Sequence, residues 1–307
     1  MRSRISSILI GAAIAAAITL PAKAGNAAWV NGPWRPYDAR TLKMDGIVAT
    51  VKVDVKESGP MVLQISGLQD RVSGLQVNSA GGTLSIRSNS VDGVWDWHNW
   101  FNFSQDLTPQ SSQLVIHVAV PRGSAVKVDG LVGNATIGDT QGSLAFDASG
   151  YTESHIGNVA DAHLSLAGSG KVWVGNVAGL VSAETAGSGD IKIGNARRMK
   201  ADIAGSGSVA AGWINGPIDV DIAGSGDFTA AGVNGPVKAS IAGSGSVTIA
   251  GGEANPLHVD IMGSGNVTFG GTAVDPRISA MGSGSVRLKA YRGTLSNDGM
   301  ANLKIGG

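Results

Sequence analysis

Apolar and polar side chains alternate with a period of two along most of this chain, and from about Ser124 to about Tyr291 the alternation itself recurs every 18 to 20 residues. The recurrence is registered by a Gly-Ser-Gly triplet beginning at Gly168, Gly187, Gly205, Gly224, Gly243, Gly263 and Gly282. Four residues beyond the first glycine stand Val172, Ile191, Val209, Phe228, Val247, Val267 and Val286, and the positions six beyond, from Val174 to Leu288, are again apolar. Between them lie mostly polar residues such as Lys171, Asp190, Lys192, Ser208 and Thr248. Upstream of the triplet the second and fourth positions are almost all apolar, with Ser165, Glu184, Asp202, Asp221, Ser240, Asp260 and Ser279 between them. One apolar and one polar face is the pattern of a half-buried strand.

Each repeat therefore reads as strand, Gly-Ser-Gly corner, strand and second turn, the last written Gly-Asn at 175–176 and 194–195 and Asn-Gly-Pro at 215–217 and 234–236. Glycine and asparagine supply the left-handed backbone angles that sharp corners use. A fixed period near 19 is that of a solenoid, in which no unit covers its own apolar ends and stacking does so instead. The chain is expected to be all-β: a right-handed, single-stranded parallel β-helix of two-strand rungs, with a less regular β-rich N-terminal part. The expected divisions are a signal peptide at 1–24, a leader at 25–45, a β-rich part and cap at 46–123, and the repeat β-helix at 124–307. Within the cap, 47–55 and 61–67 alternate, 75–88 reads as a hairpin turning at Ala80-Gly81-Gly82, and 112–121 is a strand stopped by Pro121. A Trp-rich insertion at 91–106 interrupts this pattern.

Composition narrows the class. Charged residues are 15%, the net charge is zero, glycine reaches 46 residues and cysteine is absent. The hydrophobic fraction argues against disorder, and the neutral balance gives no electrostatic reason to expect nucleic acid as a partner. Arg2 and Arg4, the apolar run 5–20 and Ala22-Lys23-Ala24 form a secretory signal cleaved after Ala24. The run is short of the roughly 20 residues of a spanning helix, so the expected product is exported, with no transmembrane segment after signal removal. It belongs in the periplasm, on the outer surface or outside the cell. Without disulfides in a compartment that permits them, packing alone must hold it.

Several features invite chemistry. The triplet resembles a phosphate cradle, but such a loop needs a helix behind it, and here strands flank both sides; the corner reading prevails, with the serines expected to stack as a hydroxyl ladder. Gly-Ser-Gly-Asp at 187–190 and 224–227 invites comparison with calcium β-rolls, yet the place of the required Asp holds Val172, Ile191, Val209 and Phe228. No metal and no cofactor is expected. Glu184, Asp202, Asp219, Asp221 and Asp260 are predicted to form an outward acidic face, beside His163, Lys200, Lys238, His258 and Arg277. Trp95, Trp97, Trp100, Phe101 and Phe103 form an aromatic run that reads either as an interaction surface or as a lid over the solenoid end. His98 and His117 belong to no motif, and no catalytic constellation stands out.

The Gly-Ser-Gly corners at this spacing, with Ile-Gly-Asn at 156–158 and 193–195, resemble the head GIN domain family, exported bacterial proteins described as auto-transporter adhesins and otherwise of unknown function. The opening MDGIVATV at 44–51, the hairpin ending LSIR at 84–87 and the strand HVAVP are also similar. The resemblance covers roughly 38–292 and implies a two-sheet β-helix, a role in adhesion and no catalytic residues. The expected function is that of a non-enzymatic adhesion or scaffold module binding an envelope, host-surface or glycan ligand. The alternatives are a polysaccharide-binding or -cleaving β-helix using the acidic face, and a self-assembling structural protein.

Overall fold

The computed structural model describes residues 28–88, 113–299 and 302–306. Strands make up 72% of it and helix 2%, arranged as stacked parallel coils in a β-solenoid of about nine turns. Two sheets run the length of the coil. Sheet one is built from strands that lead into the corner, such as Ala162–Gly168, Leu180–Gly187, Arg198–Gly205 and Ile218–Gly224. Sheet two is built from strands that leave it, such as Lys171–Val174, Asp190–Ile193 and Ser208–Ile214. Pairing is parallel and in register, so that Gly168 lies on Gly187, Gly187 on Gly205 and Gly205 on Gly224. The inward columns read from the alternation are the core; Phe146, Phe228 and Phe269 are its largest side chains and at most 1% exposed.

The corner shows why glycine recurs there. All seven first glycines of the triplets have φ between 112° and 136°, a region that side-chain-bearing residues avoid. Space is short as well: a Cβ on Gly187 would stand 2.6 Å from the Gly168 carbonyl oxygen. That carbonyl is occupied, because the Ser188 N–H donates to it at 2.8 Å, as Ser206 N–H does to Gly187 at the same distance. The ladder thus continues through the corner on backbone groups. The serines themselves are exposed, and among the described residues no hydrogen bond joins their hydroxyls, so the expected hydroxyl ladder does not form.

The second turn differs from expectation in a similar way. Asn158, Asn176 and Asn195 do not adopt positive φ, and neither do Gly175 and Gly194. The asparagine side chains bond along the axis instead. Asn176 N–H donates to Asn158 Oδ1 at 2.7 Å, Asn195 N–H to Asn176 Oδ1 at 2.9 Å, and Trp213 N–H to Asn195 Oδ1 at 2.8 Å. The amide side chain replaces a ladder bond that the turning backbone cannot make.

The N-terminal end has its own topology. A coil made of Thr41–Asp45 and Thr50–Lys56 pairs on one side with the next coil, Ala125–Leu131 and Ala135–Ile137. On its other side it pairs in parallel with Thr83–Ser88 in sheet one and Leu114–Pro121 in sheet two. Beyond these, Leu75–Ala80 and Met61–Leu68 add antiparallel strands, joined by the short helix Gln69–Ser73, whose Val72 is buried. Trp29–Asn31 and Arg35–Tyr37 then pair antiparallel with Met61–Leu68. Antiparallel strands thus flank the N-terminal end of the parallel stack, and those at the edge are only three to six residues long.

Gly187→Ala is expected to cost about 1–3 kcal/mol, because the alanine must hold a sparsely populated φ. Ser188→Ala, one residue away and exposed, should stay within about 0.5 kcal/mol of wild type. Denaturant midpoints of the two variants check this; equal midpoints would contradict the account of the corner.

Candidate functional site

The outer face of sheet one carries the predicted acidic residues, and the register brings most of them into one file. Ser165 pairs with Glu184, Glu184 with Asp202, Asp202 with Asp221, Asp221 with Ser240, and Ser240 with Asp260. The file extends beyond the part read from the sequence. Asp45 pairs with Asp129, Asp147 with Ser165, and Ser279 joins Asp260 to Asp298. Burial pushes the Asp147 carboxyl up, and the nearby Asp129 adds to the effect. Asp219 is not in this file. It lies in the neighbouring one, between Lys200 and Lys238, with its carboxylate 3.8 Å from Lys238 Nζ.

That neighbouring file is largely basic, and it leans on the acidic one. Lys200 Nζ donates to Asp202 Oδ2 at 2.6 Å, Lys43 stands 3.8 Å from Asp45, and His258 lies 3.0 Å from Asp260. The hydrogen bond to Asp202 holds the Lys200 ammonium above its usual range, and the fields of Asp202, Asp221 and Glu184 act in the same direction. On the other flank runs a file of exposed small apolar residues: Ala186, Ala204, Ala223 and Ala242, continued by Met262 and Met281. Glu184, Asp202 and Asp221 together with these alanines line an open groove of about 590 Å³. Its lining holds no aromatic ring. Among the described residues no group of three or more His, Asp or Glu is placed to hold a metal ion.

The outer face of sheet two carries a constellation that the sequence did not single out. His117 Nε2 lies 2.6 Å from Asp54 Oδ2, and the Trp34 ring meets the His117 ring edge-on, with centroids 4.9 Å apart and planes at 67°. Further along the same face His155 stacks on Trp173, with centroids 4.4 Å apart and planes 2° from parallel. The His155–Trp173 pair follows from the repeat, one residue standing a rung above the other. The Trp34–His117 contact crosses the N-terminal cap and has no such signal. Trp95, Trp97, Trp100, Phe101 and Phe103 lie outside the described residues. Gly168, Gly187, Gly205, Gly224, Gly243, Gly263 and Gly282 form the corner.

The family described as "Putative auto-transporter adhesin, head GIN domain" matches residues 46–253. No curated protein matches the chain. Among solved structures, a "putative adhesin" from Bacteroides fragilis is 16% identical with a TM-score of 0.42, over 91% of this chain and 98% of that one. A "putative adhesin" from Parabacteroides distasonis is 16% identical with a TM-score of 0.48, over 89% and 98%. A "Putative lipid binding protein" from Parabacteroides distasonis is 15% identical with a TM-score of 0.44, over 92% and 98%. No helix among the described residues is long and apolar enough to cross a membrane.

The hydrogen bond from His117, followed by the charges of His117 and Lys52, holds the Asp54 carboxyl below its usual value of 3.8. A depressed carboxylate contributes stability above its unfolded-state value and loses it as pH falls through the folded value. The His117→Gln variant should therefore raise the Asp54 titration midpoint toward 3.8 in an NMR pH series. An unmoved midpoint would remove His117 as the cause.

Proposed function

The chain belongs to the head GIN domain family, and on that premise we propose that it is an exported, non-enzymatic adhesion module that meets its surface ligand along the outer face of sheet one. The N-terminal signal pattern, with Ala22-Lys23-Ala24 as the cleavage site, supports export. The observation that carries the choice of face is the stacking of Glu184, Asp202 and Asp221 on adjacent strands. Like charges directly opposite one another in a sheet oppose folding. Side chains placed where they work against stability mark the places where a chain serves something other than its own fold.

The same face offers an apolar strip beside its charges, so a ligand can bury methylene or ring surface on Ala186, Ala204 and Ala223 while its polar groups meet the carboxylates. A cleaving enzyme would need more than this. The Lys200–Asp202 pair places an acid and a base together, but an aromatic shelf to hold a sugar ring is missing from the groove lining.

The test is a binding screen of the full chain against peptidoglycan sacculi, lipopolysaccharide, and neutral and acidic glycans, with wild type and an E184Q/D202N/D221N variant. At least one component should bind, and the triple variant should weaken it tenfold or more. Release of sugar fragments from polygalacturonate by wild type, absent from the variant, would replace this reading with a catalytic one. A companion measurement probes the electrostatic argument. Asp221→Asn alone should leave the denaturant midpoint equal or raise it, by about 0.2–1 kcal/mol, while weakening binding. A drop in stability would show that the stacked carboxylates hold the fold.

A further inference from the structure

We infer that the outer face of sheet two, at the N-terminal end of the solenoid, is a second binding surface, shaped for a neutral oligosaccharide. Its framework is one file of side chains on consecutive parallel strands. His117 pairs with Lys52, Lys52 with Thr136, Thr136 with His155, and His155 with Trp173. Each end of the file carries a ring pair: Trp34 on His117, and His155 on Trp173. Three strand separations lie between the two imidazoles, about 14 Å, which is the span of a short oligosaccharide.

Two of the four rings are well exposed, and those of His117 and Trp173 are half-buried. The Trp34 residue is 47% exposed, and the His155 side chain is 58% exposed. Neither belongs to the core, whose aromatic members are the three buried phenylalanines. Further along, the file continues as Lys192, Ala210, Thr229, Thr248 and Thr268, with no further ring in it. A pyranose has an apolar face of C–H groups and a rim of hydroxyls. Indole and imidazole supply flat apolar bodies with a polar handle for such a ring. Between and beside the ring pairs stand groups that hydrogen-bond to hydroxyls, namely Lys52, Asp54, Thr136 and Glu153.

Two details favour a neutral sugar and a ready-made site. Lys52 stands 3.4 Å from Asp54, Glu153 and Asp190 flank Lys171 on the adjacent strands, and Lys192 follows Trp173, so the cations Lys52, Lys171 and Lys192 are matched by Asp54, Glu153 and Asp190. An acidic chain would gain no net attraction. The imidazole of His117 is held by Asp54 at 2.6 Å and covered by Trp34. The platform is therefore fixed before a ligand arrives, which lowers the ordering cost of binding.

This surface lies on the opposite sheet from the carboxylate file and goes beyond the adhesion reading. The experiment is calorimetry and tryptophan fluorescence of the full chain with neutral hexasaccharides of glucose, N-acetylglucosamine, mannose or xylose, and with hexagalacturonate as the acidic comparator. At least one neutral hexasaccharide should bind, and bind better than hexagalacturonate. Trp173→Ala and Trp34→Ala should each weaken it tenfold or more. Trp173→Phe should retain most of the affinity, and Thr248→Ala, on the same face but far along it, should change nothing. Thermal melts confirm that each variant is folded; should Trp173→Ala melt early, Trp34→Ala and His155→Gln carry the test. Absence of binding to every neutral hexasaccharide, equal binding by the ring variants, or preference for hexagalacturonate would each overturn the inference. Retention on the envelope components of the earlier screen, with no neutral sugar bound, would sink this inference alone and leave the adhesion reading standing.

Discussion

The parallel, in-register hydrogen-bond ladder governs everything else in this molecule. Because strands stack copy on copy, the nearest neighbour of each residue is its own equivalent one rung away. A corner residue meets a corner residue, and only glycine has both the backbone freedom and the room. An inward residue meets an inward residue, and aliphatic chains stack on one another, interrupted at Thr185, which stands between Leu166 and Ile203. At the second turn, where the backbone ladder lapses, Asn158, Asn176 and Asn195 restore it with their side chains. The same rule applied to the outer face of sheet one stacks Glu184, Asp202 and Asp221 on one another.

How much of this could be read beforehand depended on whether a contact respects the period. The inward columns and the seven corners were legible because each contact joins residues 18 to 20 apart. So was the acidic file from Glu184 to Asp260. Its continuation through Asp45 and Asp129 was not, because an insertion separates those two strands and erases the repeat between them. The Trp34–His117 contact is hidden for the same reason: it exists only through the antiparallel strands of the cap. The asparagines were legible as turn residues but not in their role. Composition names a residue fit for a corner without saying whether its backbone or its side chain serves.

The two outer faces offer different chemistry on one scaffold. Sheet one presents parallel files of acid, base and small apolar residues along most of the axis. Sheet two carries two ring pairs in one file near its N-terminal end, Trp34 with His117 and His155 with Trp173. A solenoid separates such surfaces cleanly, since alternate residues of every strand are committed to the core and only the remainder are free to vary. Lengthening the stack extends both faces without altering the fold of any rung.

The coil formed by Thr41–Asp45 and Thr50–Lys56 lies between two neighbours that both come later in the chain: 83–88 with 114–121 on one side, 125–137 on the other. Elsewhere a strand waits for only one further rung. A polypeptide delivered N-terminus first therefore holds this coil without a parallel partner until residues well beyond it have been delivered. Closing that long loop is the slow, high-contact-order step, and the repeats can add rung by rung once it is done. The cap thus acts as the molecule's starting gate: the order of assembly is written into the threading of the first hundred or so residues rather than into the repeats that follow.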